Sequence, residues 1–146
     1  MLKNELRFTT QVSIKAPKSD VWDALINPEK IKKYFFGTEA TSDWLEGSEL
    51  TFRGEWEGTT YVDKATIIKI IPERILQYNY ISSFSALEDK PENRSVISMD
   101  LLDTNGGTTL SLTQRGFESS DAVEHSTSNW KSVLEDLGKR VESGDW

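Results

Sequence analysis

The spacing of apolar residues changes twice along the chain. Leu6, Phe8, Val12 and Ile14 fall on one face at period two, which predicts a half-buried strand. Past Ala16-Pro17-Lys18-Ser19 the period lengthens. Pro17 suits the first turn of a helix, where a missing N–H costs nothing, and Val21, Trp22, Leu25 and Ile26 supply a stripe at helical spacing. Asn27-Pro28 ends that helix, because the proline ring disfavours helical geometry in the residue before it. A second short helix, from about Glu29 to Tyr34, brings Ile31, Tyr34 and Phe35 to one side.

From Gly37 to Arg115 the pattern is strand after strand. Asp43 to Glu49 reads as a strand end and a turn. Leu50, Phe52 and Trp56 alternate with polar residues, and Glu57-Gly58-Thr59 closes a hairpin. Tyr61 to Ile71 is rich in β-branched residues and stops at Pro72-Glu73-Arg74. Leu76, Tyr78 and Tyr80 alternate again, and the polar stretch Ser82 to Asn93, carrying Pro91, reads as a loop. Val96 to Leu102, the turn Thr104-Asn105-Gly106-Gly107 and Thr108 to Gln114 make the plainest hairpin in the chain.

The last element is a helix. Asp121 followed by Glu124 predicts an N-cap with its reciprocal carboxylate. Val123, Thr127, Trp130, Leu134, Leu137 and Val141 recur at alternating spacings of four and three and share one narrow stripe. Strands gathered in the middle and helices at the ends give an α+β class. The antiparallel sheet, about six or seven strands, should curl around the terminal helix, whose stripe needs a concave surface to cover.

Composition narrows the classes. A chain of 146 residues is, as a prior, one domain spanning residues 1–146. The longest apolar run, Ile67-Ile68-Lys69-Ile70-Ile71, is far short of a membrane span, and Met1 to Glu5 lacks the apolar core of a secretion signal. Without cysteine there is no disulfide and no thiolate chemistry; together these features favour the cytoplasm. A net charge of −7, with Lys30, Lys32 and Lys33 the densest cationic group, argues against nucleic acid. Five tryptophans must be housed in a large apolar interior or cleft.

Catalytic machinery is hard to find. His125, the single histidine, sits about 200° round the helix from Val123 and should face solvent. No zinc spacing, nucleophile elbow or phosphate-cradling loop is present, so neither metal nor cofactor is expected. By alternation Glu55, Glu57 and Asp100 point outward, which leaves acids on the sheet exterior.

Several motifs run in order along the chain: Ala16-Pro17-x-x-x-Val21-Trp22-Asp23-Ala24-Leu25-x-x-Pro28, Asp43-Trp44-x-x-Gly47, Tyr61-x-Asp63-Lys64, Pro72-x-Arg74-x-Leu76-x-Tyr78-x-Tyr80 and Trp130-x-x-x-Leu134-x-x-Leu137. Together they resemble the SRPBCC superfamily, the helix-grip fold shared with START domains and Bet v 1-type allergens. Within it the chain is similar to the branch related to the activator of heat-shock protein 90 ATPase, in its small stand-alone bacterial form. Tyr34 stands where Trp is usual, and Ala65 where Gly is usual, which argues against a strand distortion at that point.

The resemblance implies a cavity between sheet and terminal helix. Trp44, Phe52, Trp56, Tyr78, Tyr80 and Trp130 are its candidate walls, with Leu25, Tyr34, Phe35, Ile67, Ile97, Met99, Leu101, Leu110, Leu134 and Leu137. Either these side chains fill the interior, or sheet curvature leaves a space lined by them, with hydroxyl and indole N–H groups as the few polar handles. The expected activity is non-enzymatic binding of a small hydrophobic, lipid-like or aromatic molecule, entering near Ser82–Asn93 and the start of the terminal helix. The alternatives are an interaction module acting on a chaperone and a cyclase- or dehydratase-like enzyme. Monomer and homodimer are both compatible with the pattern.

Overall fold

The computed structural model describes residues 6–83, 88–117 and 119–146, and of Trp56 only the backbone. The chain runs β1 (Arg7–Ile14), α1 (Lys18–Ile26), α2 (Pro28–Tyr34), β2 (Glu39–Ser42), β3 (Glu49–Trp56), β4 (Thr59–Ile71), β5 (Ile75–Ile81), β6 (Ser95–Thr104), β7 (Gly107–Arg115) and α3 (Ser120–Ser143). The strands form one antiparallel sheet in the order β1-β7-β6-β5-β4-β3-β2, so every neighbour but one is joined by a hairpin-type return. This is the α+β helix-grip architecture: a curved sheet holding a long C-terminal helix, with two short helices after the first strand.

Local chemistry sets the boundaries. Asn27 serves two helices at once: its backbone N–H donates to Asp23 and closes α1, while its side chain accepts from the Glu29 N–H and opens α2, with Pro28 in the first turn. The α3 cap differs from the expected one. Ser119, not Asp121, is the N-cap, and its side chain accepts from Ala122 N–H at 3.1 Å. Asp121 instead lies in the first turn, where its charge complements the helix dipole. Gly144, left-handed at φ 71°, ends the helix.

The β3–β4 hairpin turns on Glu57 and Gly58, both at positive φ, the requirement of a type I′ turn. Strand β2 escapes the alternation rule because it is a four-residue polar edge, Glu39-Ala40-Thr41-Ser42, with only Ala40 buried. Pairing through Ala65 is regular, opposite Leu50 and Tyr80. The irregularity of β4 comes later, between Ile67 and Lys69, and leaves Ile68 exposed. Leu6 also departs from expectation: it precedes β1, its carbonyl accepting from Gly116 N–H, and its side chain is exposed. A 3₁₀ turn at Pro91–Asn93 interrupts the Ser82–Asn93 loop, and the Arg94 guanidinium holds Asp89 beside it through two hydrogen bonds.

The core fills the concave side. Phe8, Ile14, Leu50, Ile67, Leu76, Tyr78, Ile97, Met99, Leu101, Leu110 and Leu112 from the sheet meet Val133, Leu134, Leu137 and Val141 from α3, and Val21, Trp22 and Leu25 from α1. Helix α3 presses on β1 at Gly138, where an added Cβ would meet Ile14 at 3.4 Å and Val12 at 3.5 Å. That close approach brings Leu134 and Leu137 onto the sheet. Among the described residues no helix is long and apolar enough to cross a membrane.

Candidate functional site

Between α3, α2 and the middle of the concave face lies a hollow of about 30 Å³, room for about two water molecules. Its walls are Leu25 of α1; Ile31 and Tyr34 of α2; Phe35 and Trp44 of the loops; Leu50 and Phe52 of β3; Leu76 and Tyr78 of β5; Met99 of β6; and Trp130, Val133, Leu134 and Leu137 of α3. All are buried except Phe35, Trp44 and Trp130, so the hollow faces solvent where those three rings stand.

The rings at this mouth are layered. Phe35 stacks on Trp130 with centroids 5.5 Å apart and planes 17° apart, and meets Phe52 edge-on at 5.7 Å. The Trp130 indole N–H donates to Gln114 Oε1 at 3.1 Å, while Gln114 Nε2 donates to Ser95 Oγ. One edge of Trp130 is therefore anchored to the sheet, and its face lies against the Phe35 ring. Beside it, Phe36 is 64% exposed and packs on Phe35. Phe36 and Trp44 both take positive φ, at 55° and 58°, a conformation that bulky residues seldom adopt.

Ten of the sixteen candidate residues line the hollow: Leu25, Tyr34, Phe35, Trp44, Phe52, Tyr78, Met99, Trp130, Leu134 and Leu137. Ile67, Ile97, Leu101 and Leu110 point the same way but are packed into the surrounding core. Tyr80 lies one ring further along, 6.2 Å from Phe52. The Trp56 side chain falls outside the described residues. Ile31, Leu50, Leu76 and Val133 complete the lining and were not singled out. Leu50 and Leu76 had the right alternation to be found, since they precede Phe52 and Tyr78 by two.

Acids on the exterior are the rule, with one exception that needs correcting. Glu55 and Glu57 are exposed and Asp100 is partly so, but Asp63 is buried on the concave side. Its Oδ2 accepts from the Tyr80 hydroxyl and its Oδ1 from Ser83 N–H at 2.8 Å, tying β4 to the end of β5. Period two from the inward Ile67 through Ala65 reaches Asp63, so the residue was within reach of the alternation rule. Burial, then the Asp63 charge and hydrogen bond, push the Tyr80 hydroxyl far above the ordinary tyrosine value, so it stays a donor. Asp63 lies beyond Phe52 and does not line the hollow.

Burial also raises Tyr34 and Tyr78 well above the usual value. Tyr34 donates to the Ala24 carbonyl at 2.8 Å. His125 stands exposed on α3 with Asn129 Nδ2 3.4 Å from its Nε2. Among the described residues no three His, Cys, Asp or Glu side chains come together to hold a metal ion.

Comparison with known proteins places this architecture. No curated protein matches the chain significantly. Solved structures do. ChR145 from Cytophaga hutchinsonii, a solution structure, is 40% identical over 97% of both chains with a TM-score of 0.83. The Aha1 dimer from Colwellia psychrerythraea is 19% identical, covering 97% of this chain and 99% of that one, with a TM-score of 0.77. CalU16 from Micromonospora echinospora is 23% identical over 92% of this chain and 75% of that one, with a TM-score of 0.73. The last two show likeness of fold. The family described as Activator of Hsp90 ATPase homolog 1-like protein matches residues 15–142, and the chain belongs to that family.

Proposed function

We propose that the protein binds a small apolar molecule in the hollow between α3 and the sheet, the Phe35–Trp130 stack moving aside to admit it. The observation that carries this reading is the composition of the mouth. A close-packed core normally closes with interlocked side chains; this one closes with rings held face to face, beside two residues in strained backbone conformations. Strain of that kind costs on the order of 1–3 kcal/mol per residue and collects at ligand clamps.

Size sets a condition. At about 30 Å³ the hollow must grow to take anything larger than water, so binding couples to movement of the rings. A ligand burying roughly 200 Å² of apolar surface gains about 5 kcal/mol, enough for sub-millimolar affinity before the cost of moving the stack. Titration of the ¹⁵N-labelled protein with ethylbenzene tests this. Saturable shifts at Met99, Leu134, Leu137 and the Trp130 indole N–H are expected. Unchanged resonances up to the solubility of the probe reject the reading.

A second reading has its own support. The family takes its name from a chaperone activator, and exposed Phe36 and Leu45 offer apolar surface that a protein partner could cover. It requires that saturating protein change the ATP turnover of the host's heat-shock protein 90 homologue. An unchanged rate removes it.

A further inference from the structure

One polar group inside the hollow has no protein partner among the described residues. Tyr78 is 2% exposed and stands mid-sheet on β5, opposite Ile67 of β4 and Ile97 of β6. Its ring leans on Phe52 at 5.9 Å. Two neighbouring tyrosines have partners for their hydroxyls: Tyr34 of α2 gives its proton to the Ala24 carbonyl and Tyr80 of β5 to Asp63. Among the described residues none lies within hydrogen-bond reach of the Tyr78 hydroxyl, yet that oxygen is not sealed among carbon atoms either. Tyr78 lines the hollow, so the hollow is the space its hydroxyl opens on.

A buried hydroxyl with no protein partner has only the water of the hollow to serve it, and a native fold that keeps such a group in its interior usually has a use for it. A phenylalanine would fill the same position with no polar atom to serve. Neutrality adds to the case: burial holds the phenol protonated throughout the physiological range, so it is a donor.

We propose that Tyr78 is the polar anchor of the hollow, donating a hydrogen bond to a ligand that is an apolar body carrying one uncharged acceptor oxygen, such as a ketone, aldehyde or ester carbonyl. This rests on the hollow being a binding site and names the class of molecule it selects. A carboxylate ligand fits worse, because it would bury a charge with no cation among the lining residues. A purely hydrocarbon ligand would leave the hydroxyl unsatisfied.

The test pairs two probes of nearly equal shape, acetophenone and ethylbenzene, against wild type and Tyr78→Phe. The ratio of their dissociation constants corrects for their different solubilities. Loss of one neutral hydrogen bond corresponds to a three- to tenfold change, so the preference for acetophenone should fall by that factor in Y78F. The carbonyl stretch of bound acetophenone should lie at lower frequency in wild type than in the variant. Because Y78F removes an unpaired group, it should fold at least as stably as wild type. A ratio unchanged within twofold, with no shift in the carbonyl band, overturns the assignment while leaving the hollow a binding site. Failure of both probes to bind wild type overturns the assignment and the binding reading together.

Discussion

Tyrosines at the heart of this molecule make its stability depend on alkali. Tyr34, Tyr78 and Tyr80 are all raised from the ordinary value of 10.0, chiefly by burial. In the unfolded chain each loses its proton near pH 10, whereas in the folded chain each keeps it to higher pH. Below pH 10 both states are protonated and these groups contribute no pH dependence. Above it the unfolded state sheds protons that the folded state holds, so stability falls as pH rises. Denaturant midpoints should be level between pH 8 and 9.5 and drop between pH 10 and 11.5, with a shallower drop in Tyr78→Phe. An equal slope in the variant would mean that Tyr78 ionises as freely as a surface tyrosine. At the same scale, Asp63 receives Tyr80 and Ser83 and so fixes the end of β5.

Among the elements, α3 does most to make the hollow, and its first turns do so by a thin margin. Ala122 and Val123 are only half-buried, and the orphan Ala122 N–H there is served by the Ser119 side chain. Ser119→Ala should cost about 1 kcal/mol and speed amide exchange over residues 122–126, while 133–141, locked by Leu134, Leu137 and Gly138, keep their protection. Uniform loss along the helix would show that it frays as one piece. The same helix shows what a sequence discloses. Its apolar stripe, the Asn-Gly and Glu-Gly turns and the β5 alternation were all legible, because periodicity reports which way a side chain points. The β2 strand was not, since its four edge residues, three of them polar, bury only Ala40. The cap was displaced by two residues because Ser119 and Asp121 both carry suitable oxygens, and geometry alone chooses between them. Alternation likewise reports direction and not depth: Ile97 and Met99 share a face, yet only Met99 reaches the hollow. Ring stacking between Phe35 and Trp130 joins residues 95 positions apart and leaves no local signature.

For the whole molecule, the architecture and the family are established, and the working of the interior is the question they leave. A sheet curved around α3 gathers fourteen side chains at one hollow, with a single unpaired hydroxyl inside and a ring stack across the mouth. An interior designed only for stability would fill about 30 Å³ with a methyl group or two and replace Tyr78 by Phe. The net charge of −7 adds a field that disfavours anionic ligands, in keeping with a neutral one. The most direct measurement is an X-ray structure of crystals grown with acetophenone. The account predicts the ketone among Met99, Leu134 and Leu137, its oxygen within about 3 Å of the Tyr78 hydroxyl, and Phe35 swung off Trp130. A structure with the stack intact, the hollow no larger and the ketone absent at saturating concentration would contradict it.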